Sequence, residues 1–224
     1  MAKKIIKAVL FDLDGTLLDT APDFVAVVNK LLTEEGKEPL AAEKIRDCIS
    51  NGARALVMMA FNIDDQHPEF ARLRLRLLEL YSQHIAVYTQ PFPGIVELLK
   101  SLAEKNISWG IATNKPAQYT EPLMSALNIQ PSPTSVICPD HVSHTKPHPE
   151  SMFLAAKLHG CDANEIIYVG DHLRDIECGR QAGCITIAAA YGYIDQNANI
   201  DDWKADYRVN HANEIWPIVT QFIS

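Results

Sequence analysis

Five short apolar runs constrain the fold of this chain more than any other feature of its sequence. Each run has about the length of a β-strand, is rich in Ile and Val, and lacks alternation with polar residues. The runs are residues 5–11, 107–113, 135–138, 165–170 and 184–190. Strands of this kind are typical of a parallel sheet that is covered on both faces.

Helical patterns lie between these runs. Residues 94–105 place Leu98 and Leu102 on one apolar face, and residues 149–160 and 173–183 each stop at a glycine. Helices that alternate with unpatterned strands predict an α/β fold built on a parallel sheet.

The chain between the first and second runs differs, because it contains one helical pattern after another and no convincing strand. Residues 22–36, for example, place their apolar side chains at helical spacing. We therefore expect a helical insertion after the first strand. The predicted division is a core formed by residues 1–18 and 92–224 and a helical cap formed by residues 19–91.

The charge balance limits the expected partners. The 224 residues carry a formal net charge of -8. An acidic surface repels nucleic acid and anionic lipid, so neither is an expected partner. A small anionic substrate would need a local basic pocket or a metal ion.

Cysteine usage and hydropathy favour a cytoplasmic protein. The five cysteines form no CxxC pair and no set with zinc-site spacing, so we interpret them as reduced packing residues. The apolar stretch near the N-terminus is too short for a signal sequence, and no apolar run approaches the roughly 20 residues of a membrane span. The oligomeric state is left open between monomer and homodimer.

Polar residues follow three of the runs at the point where each predicted strand ends. Asp12 and Asp14 follow the first run, Thr113 ends the second run and is followed by Asn114 and Lys115, and Asp171 follows the run at 165–170. Ligands bind beyond the carboxyl ends of the strands in an open parallel sheet. We therefore expect these side chains to meet at one edge.

Lys146 lies between a short predicted strand and the next helix, and it is expected to reach the same edge. Crowded carboxylates stay ionised only if a cation offsets them, and Mg²⁺ is the usual cation beside phosphate. The hydroxyl of Thr113 and the ammonium of Lys146 are suited to phosphoryl oxygens. This combination indicates phosphoryl transfer through a carboxylate nucleophile.

These motifs resemble those of the haloacid dehalogenase superfamily of phosphohydrolases. They are DLDGT at 12–16, TN at 113–114, Lys146 in SHTKPHPE, and GDHLRD at 170–175. The resemblance covers essentially the whole chain, and the position of the helical insertion is similar to that in members with a C1-type cap. It implies a Rossmann-like core and a Mg²⁺-dependent phosphatase.

The resemblance also implies a role for each motif residue. Asp12 would attack phosphorus and form an aspartyl-phosphate, and Asp14 would protonate the leaving oxygen and later accept a proton from water. Thr113 and Lys146 would bind the transferring phosphoryl group. The carboxylates of Asp12 and Asp171, together with the backbone carbonyl of Asp14, would bind Mg²⁺.

Sequence features that are less specific than the catalytic motifs concern the substrate, which is expected to be a small phosphorylated metabolite. The stretches SNGARALVMMAF, WGIATNKP and ICPDHV are similar to the phosphoglycolate phosphatase group, and most of all to its branch that acts on N-acetylmuramic acid 6-phosphate in cell-wall recycling. Both substrates carry a carboxylate. Arg54 is expected to pair with it, the alternative being a surface arginine. Asn114 is expected to join in substrate binding.

The sequence leaves other functions and other residue roles open. A sugar phosphomutase shares both acids, and a binding protein without turnover is a further alternative. Asp175 either contacts the metal through water or supports Lys146, and the supporting role is favoured. The residues interpreted as structural or solvated are His141, His144, His148, Arg72, Arg74 and Arg76.

Overall fold

The computed structural model of the protein, which describes residues 5–195 and 198–223, contains a six-stranded parallel sheet and a separate two-stranded pair. The strands are β1 (Ala8–Phe11), β2 (Leu18–Asp19), β3 (Gln90–Pro91), β4 (Ser108–Ala112), β5 (Ser135–Ile137), β6 (Ile166–Gly170), β7 (Ile185–Ala189) and β8 (Tyr207–Val209). The large sheet has the order β5–β4–β1–β6–β7–β8, and every neighbouring pair in it is parallel. The predicted α/β class is confirmed.

Helices make up most of the remaining described structure. The α-helices are α1 (Ala21–Glu34), α2 (Ala42–Arg46), α3 (Gly52–Phe61), α4 (Phe70–Ser82), α5 (Ile95–Glu104), α6 (Ala117–Leu127), α7 (Glu150–His159), α8 (Leu173–Ala182) and α9 (Ile215–Val219). None of the helices within the described ranges is long and apolar enough to cross a membrane.

Both faces of the sheet are covered, and β1 shows why its residues are all apolar. Val9 and Phe11 belong to one hydrophobic cluster, which also contains the buried face of α5. Ala8 and Leu10 belong to the cluster on the opposite face, which contains buried residues of α7 such as Met152. Successive side chains of a strand point to opposite faces, so a strand buried on both sides needs no polar position.

The segment from α1 to α4 contains helices and their connections but no strand, and it lies between β2 and β3, which pair antiparallel. The first hydrophobic cluster continues from the sheet into this segment through Leu31, Leu56 and Leu77, each at most 1% exposed. The helical insertion therefore packs against the sheet. Its treatment as a cap with boundaries near residues 18 and 92 stays a prediction.

Candidate active site

The topology places three loops side by side at the carboxyl edge of the sheet. β1 lies between β4 and β6, so the residues that follow these strands are neighbours. Asp12 follows β1, Thr113 follows β4 and Asp171 follows β6, and all three are buried. The edge beside a central strand of this kind is where open α/β sheets bind ligands.

Lys146 is buried, and its ammonium lies at the centre of this edge. Its Nζ donates to Asp12 Oδ1 at 2.8 Å, to the carbonyl of Ala112 at 2.9 Å and to the hydroxyl of Tyr168 at 2.9 Å. Asp175 Oδ1 lies 2.7 Å from the same nitrogen. Burial by itself lowers the pKa of Lys146, but the charges of Asp12 and Asp175 outweigh it and raise that pKa. The lysine is therefore a fixed cation, and Asp175 makes the supporting contact favoured from the sequence.

Three carboxylates converge beside this lysine. Ligand oxygens of Asp12, Asp171 and Asp175 lie within 4.8 Å of one another, and all three residues are buried. Asp171 accepts from Thr16 Oγ1 at 3.1 Å and from the backbone N–H of Tyr193 at 2.8 Å. Burial, and then the charges of the two other acids, raise the pKa of Asp171 well above its ordinary value. Such an oxygen-only set fits a hard divalent cation, which would offset the crowded charges.

Asp14 has different partners from Asp12, although the two are separated by one residue. Lys115 Nζ donates to both carboxylate oxygens of Asp14, at 3.1 and 3.2 Å, and Thr20 Oγ1 donates to Oδ1 at 2.7 Å. Lys115 is buried, and burial alone lowers the pKa of its ammonium, yet the charge of Asp14 outweighs this and raises it. The two acids thus have separate cations, which is suited to separate chemical tasks.

Lys115 and Tyr168 contact the site residues, although neither has a role assigned from the sequence. Lys115 follows the TN motif directly and is one of the polar residues expected at this edge from the sequence, but only the fold shows that it contacts Asp14. Tyr168 lies inside an apolar strand run, where a tyrosine reads as a packing residue. Its hydroxyl donates to the carbonyl of Ala112 at 2.8 Å, a contact that only the folded sheet creates.

Gly15 allows the chain to turn closely against the acid cluster. Its φ of +85° lies in the left-handed region, which side chains rarely adopt. A Cβ atom at this position would lie 2.1 Å from Asp171 Oδ2. The glycine of the DLDGT motif is therefore required both by backbone conformation and by the lack of space.

Thr113 and Asn114 lie where the sequence places them, but their side chains have different contacts. Thr113 Oγ1 accepts from the backbone N–H of Lys115 at 3.1 Å and lines the cavity. Asn114 is bonded to the backbone of Lys146, donating to its carbonyl at 3.1 Å and accepting from its N–H at 3.2 Å. Asn114 thus fixes the lysine loop, and its direct contact with substrate stays a prediction.

Glu150 holds the same loop from the surface side. Its carboxylate accepts hydrogen bonds from the backbone N–H groups of Ser143 and His144 at 2.8 and 2.9 Å.

His141 has a local structural contact. Its ring accepts a hydrogen bond from the N–H of Cys138 at 3.0 Å and so caps a short turn. The contacts of His141 are those of a structural residue, as interpreted from the sequence.

A cavity of about 380 Å³ extends from this edge of the sheet to the helical insertion. Asp12, Asp14, Thr113 and Lys146 line it on the sheet side. The insertion contributes Phe24, Ile49, Ser50, Asn51, Gly52, Ala53, Arg54, Arg74, Leu78 and Tyr81. Groups suited to bind a phosphate thus share one cavity with side chains from a different part of the chain.

Arg54 lines this cavity, but its guanidinium is engaged elsewhere. Its Nε donates to Asp65 Oδ2 at 3.1 Å, a second N–H contacts the same oxygen, and 60% of its side chain is exposed. The predicted pairing of Arg54 with a substrate carboxylate would compete with Asp65, and it stays a prediction.

The arginines of α4 divide into two groups. Arg72 and Arg76 form surface ion pairs with Glu35, which caps α1, and with Glu34, its last residue, as expected for a solvated helix face. Arg74 is an exposed residue, as the solvated interpretation expects, and in addition it lines the cavity.

The loops and buried acids at this sheet edge identify the class of protein. The chain belongs to the haloacid dehalogenase-like hydrolases, whose family model matches residues 9–189. This span runs from β1 to the end of β7 and includes all four motifs. The family resemblance stated from the sequence is confirmed.

Two relatives that match nearly the whole chain are phosphatases. An N-acetylmuramic acid 6-phosphate phosphatase of Pseudomonas putida is 45% identical over 214 residues, which are 96% of each chain. A phosphoglycolate phosphatase of Xanthomonas campestris pv. campestris is 36% identical over 94% of this chain and 95% of that one. A crystal structure from Haemophilus somnus 129pt, described as a predicted phosphoglycolate phosphatase, has a TM-score of 0.83 at 25% identity and covers 95% of this chain and 97% of its own.

Proposed function

We propose that this protein is a phosphomonoester hydrolase that transfers the phosphoryl group of N-acetylmuramic acid 6-phosphate to Asp12 and then to water. The observation that carries the proposal is the shared cavity, which joins the acid–lysine edge of the sheet to the helical insertion. Its volume of about 380 Å³ is at the lower end for small-molecule sites and suits a monosaccharide phosphate. The Pseudomonas relative points to the same substrate.

The contacts support different roles for the two acids of the first motif. The Asp12 carboxylate attacks phosphorus, and the ester oxygen leaves with a proton from Asp14. Water then attacks the aspartyl-phosphate and gives its proton to Asp14, which restores both acids. Lys146, 2.8 Å from Asp12, would orient the nucleophile and bind the phosphoryl oxygens together with Thr113.

A divalent cation, for which we propose Mg²⁺, fits the acid cluster. The carboxylates of Asp12 and Asp171 and the backbone carbonyl of Asp14 would hold it. The raised pKa of Asp171 supports this assignment, because it reports uncompensated negative charge and burial at that position. When bound, the ion would neutralise the acids and withdraw charge from the phosphoryl group.

The helical insertion, residues 19–91, is proposed to act as the cap that reads the leaving group. Residues of the sheet edge would contact only the phosphate, so discrimination between leaving groups needs side chains from outside that edge. Ser50 of the insertion contacts the cluster directly, with its Oγ 3.4 Å from Asp171 Oδ2. Arg174 of α8 donates to the carbonyl of Ser50. These contacts would join the cap to the core when the site is closed.

Phosphate release from a small set of esters tests the proposal. With Mg²⁺ present, kcat/KM should be highest for N-acetylmuramic acid 6-phosphate, compared with phosphoglycolate, N-acetylglucosamine 6-phosphate and p-nitrophenyl phosphate. A higher value for phosphoglycolate would favour the second candidate, which the 36% identical relative supports. A phosphomutase would form an isomeric sugar phosphate without free phosphate. Absence of turnover on every ester would overturn the hydrolase proposal.

A further inference from the structure

Helix α4 turns one face towards the cavity. Arg74, Leu78 and Tyr81 line it, and their spacing of four and three residues places them on one side of the helix. Arg72 and Arg76 lie about 160° around the helix axis from Arg74, at 3.6 residues per turn. The cavity face is therefore distinct from the face that forms ion pairs with α1.

Arg74 differs from the other cations that line the cavity. Lys146 and Lys115 contact the two acids of the first motif, Arg54 pairs with an aspartate, and Arg174 donates to a backbone carbonyl. Among the described residues, Arg74 has no hydrogen-bond or ion-pair partner. In a protein with a net charge of -8, an arginine that lacks an acidic partner beside a substrate cavity is available to an anionic ligand.

Tyr81 provides a second, independent observation on the same face. Tyr81 is only 2% exposed, and within the described part of the chain no group accepts a hydrogen bond from its hydroxyl, because the nearby ammonium of Lys115 can only donate to that oxygen. Burial raises the pKa of Tyr81, although the nearby Lys115 ammonium opposes the shift, so the hydroxyl keeps its proton. An unpaired buried donor that lines a cavity indicates a ligand as its partner.

Given the function proposed above, we propose that the cavity face of α4 is the leaving-group subsite, in which Arg74 binds the substrate carboxylate and Tyr81 donates to a neutral sugar oxygen. A guanidinium can hold a carboxylate through two parallel hydrogen bonds, which gives both strength and orientation. The tyrosine contact does not depend on the acid and therefore serves acidic and neutral sugars alike.

The carboxylate contact is tested by comparing two sugars that differ in the lactyl acid. Arg74→Ala should lower kcat/KM for N-acetylmuramic acid 6-phosphate roughly 10–100-fold, as expected for a lost charge-assisted hydrogen bond. The preference over N-acetylglucosamine 6-phosphate should shrink by about the same factor. Arg72→Ala is the matched control on the opposite face and should keep both values. If Arg54→Ala removes the preference and Arg74→Ala does not, the subsite is at Arg54 and the inference is wrong.

The tyrosine contact has its own test. Tyr81→Phe should lower kcat/KM for both sugars by a similar factor, roughly 3–10-fold for one neutral hydrogen bond. The melting temperature should change little, because the hydroxyl of Tyr81 donates no hydrogen bond in the unliganded protein. Unchanged turnover of both sugars would contradict the contact.

Failure of the inference is distinguishable from failure of the proposed substrate. Wild-type turnover of N-acetylmuramic acid 6-phosphate with a preference that Arg74→Ala does not change would overturn only the inference. If the wild type hydrolyses phosphoglycolate instead, the substrate proposal fails, and phosphoglycolate against ethyl phosphate becomes the acidic and neutral pair for Arg74. A wild type that hydrolyses none of these esters overturns both proposals.

Discussion

Asp12 and Asp14 show how two identical side chains acquire different environments within one short loop. Asp12 contacts the buried ammonium of Lys146, whereas Asp14 contacts Lys115 and Thr20. Neither lysine is adjacent to its acid in the sequence. The proposed division between nucleophile and proton donor depends on these two separate pairings.

Replacing the nucleophile should abolish turnover while preserving the fold. Asp12→Asn keeps the size of the side chain, and Lys146 retains Asp175 at 2.7 Å as an ionic partner. We expect kcat to fall by roughly 10⁴–10⁶-fold, as for the loss of a covalent nucleophile. Phosphate release and circular dichroism on the purified variant measure the two effects. Turnover above about a hundredth of the wild-type rate would contradict the assignment.

Lys115 should affect catalysis through its contact with Asp14. The ammonium of Lys115 lies 5.0 Å from the ring centroid of Phe24 and 4.5 Å from that of Tyr81. Lys115→Met keeps an extended side chain against these two rings but removes the cation from Asp14, so we expect kcat to fall roughly 10–100-fold. The loss should be larger for a sugar phosphate than for p-nitrophenyl phosphate, whose good leaving group needs little protonation. Lys105→Met, at an exposed position, is the control. Equal losses on the two esters would indicate a general structural role.

At the scale of the element, the turn after β1 positions the site. Gly15→Ala would place a methyl group 2.1 Å from Asp171 Oδ2, in addition to the strain of a positive φ. Gly36→Ala is a matched control, because φ is +67° there and a Cβ would meet no atom within 4 Å. Both substitutions should cost about 1 kcal/mol or more of unfolding free energy. Only Gly15→Ala should also abolish activity. Chemical denaturation measures the loss of stability, and phosphate release measures the loss of activity. Equal activity in the two variants would show that the turn at Gly15 does not position the active site.

A comparison of the predicted and observed strands and helices shows which sequence patterns were sufficient to predict them. Each of the five apolar runs contains a strand of the large sheet, because strands buried on both faces need continuous apolar sequence. β8 was not predicted, because Tyr207–Val209 is short, lies at the sheet edge and includes the exposed Arg208. Residues 69–88 have a helical pattern in the sequence, but α4 ends at Ser82, since the chain must turn there towards β3.

For the whole molecule, the acid cluster should couple stability to pH and to metal. The folded-state pKa of Asp171 is raised above its ordinary value of about 3.9, so the folded protein binds more protons than the unfolded chain between these two pKa values. Stability of the metal-free protein should therefore fall as pH rises through that window. Asp171→Asn should remove this loss and melt higher than the wild type at neutral pH in EDTA.

Added Mg²⁺ should reverse that order. It binds the folded wild type, so it should raise the wild-type melting temperature with increasing concentration, and it should stabilise Asp171→Asn much less. EDTA should abolish wild-type turnover and Mg²⁺ should restore it. Thermal melts at several pH values, with EDTA and with Mg²⁺, measure both effects. A metal-free Asp171→Asn variant that melts below the wild type at neutral pH would show that the acids do not repel one another.

The sequence by itself determined the α/β class, the parallel sheet and the placement of Asp12, Thr113, Lys146 and Asp171 at one edge. It could do so because strand burial and motif spacing are local properties. Only the tertiary structure decided which cation contacts which acid, and that Arg74 lines the cavity while Arg54 pairs with Asp65. These pairings join residues far apart in sequence and depend on how the helical insertion packs over the sheet, which no local pattern encodes.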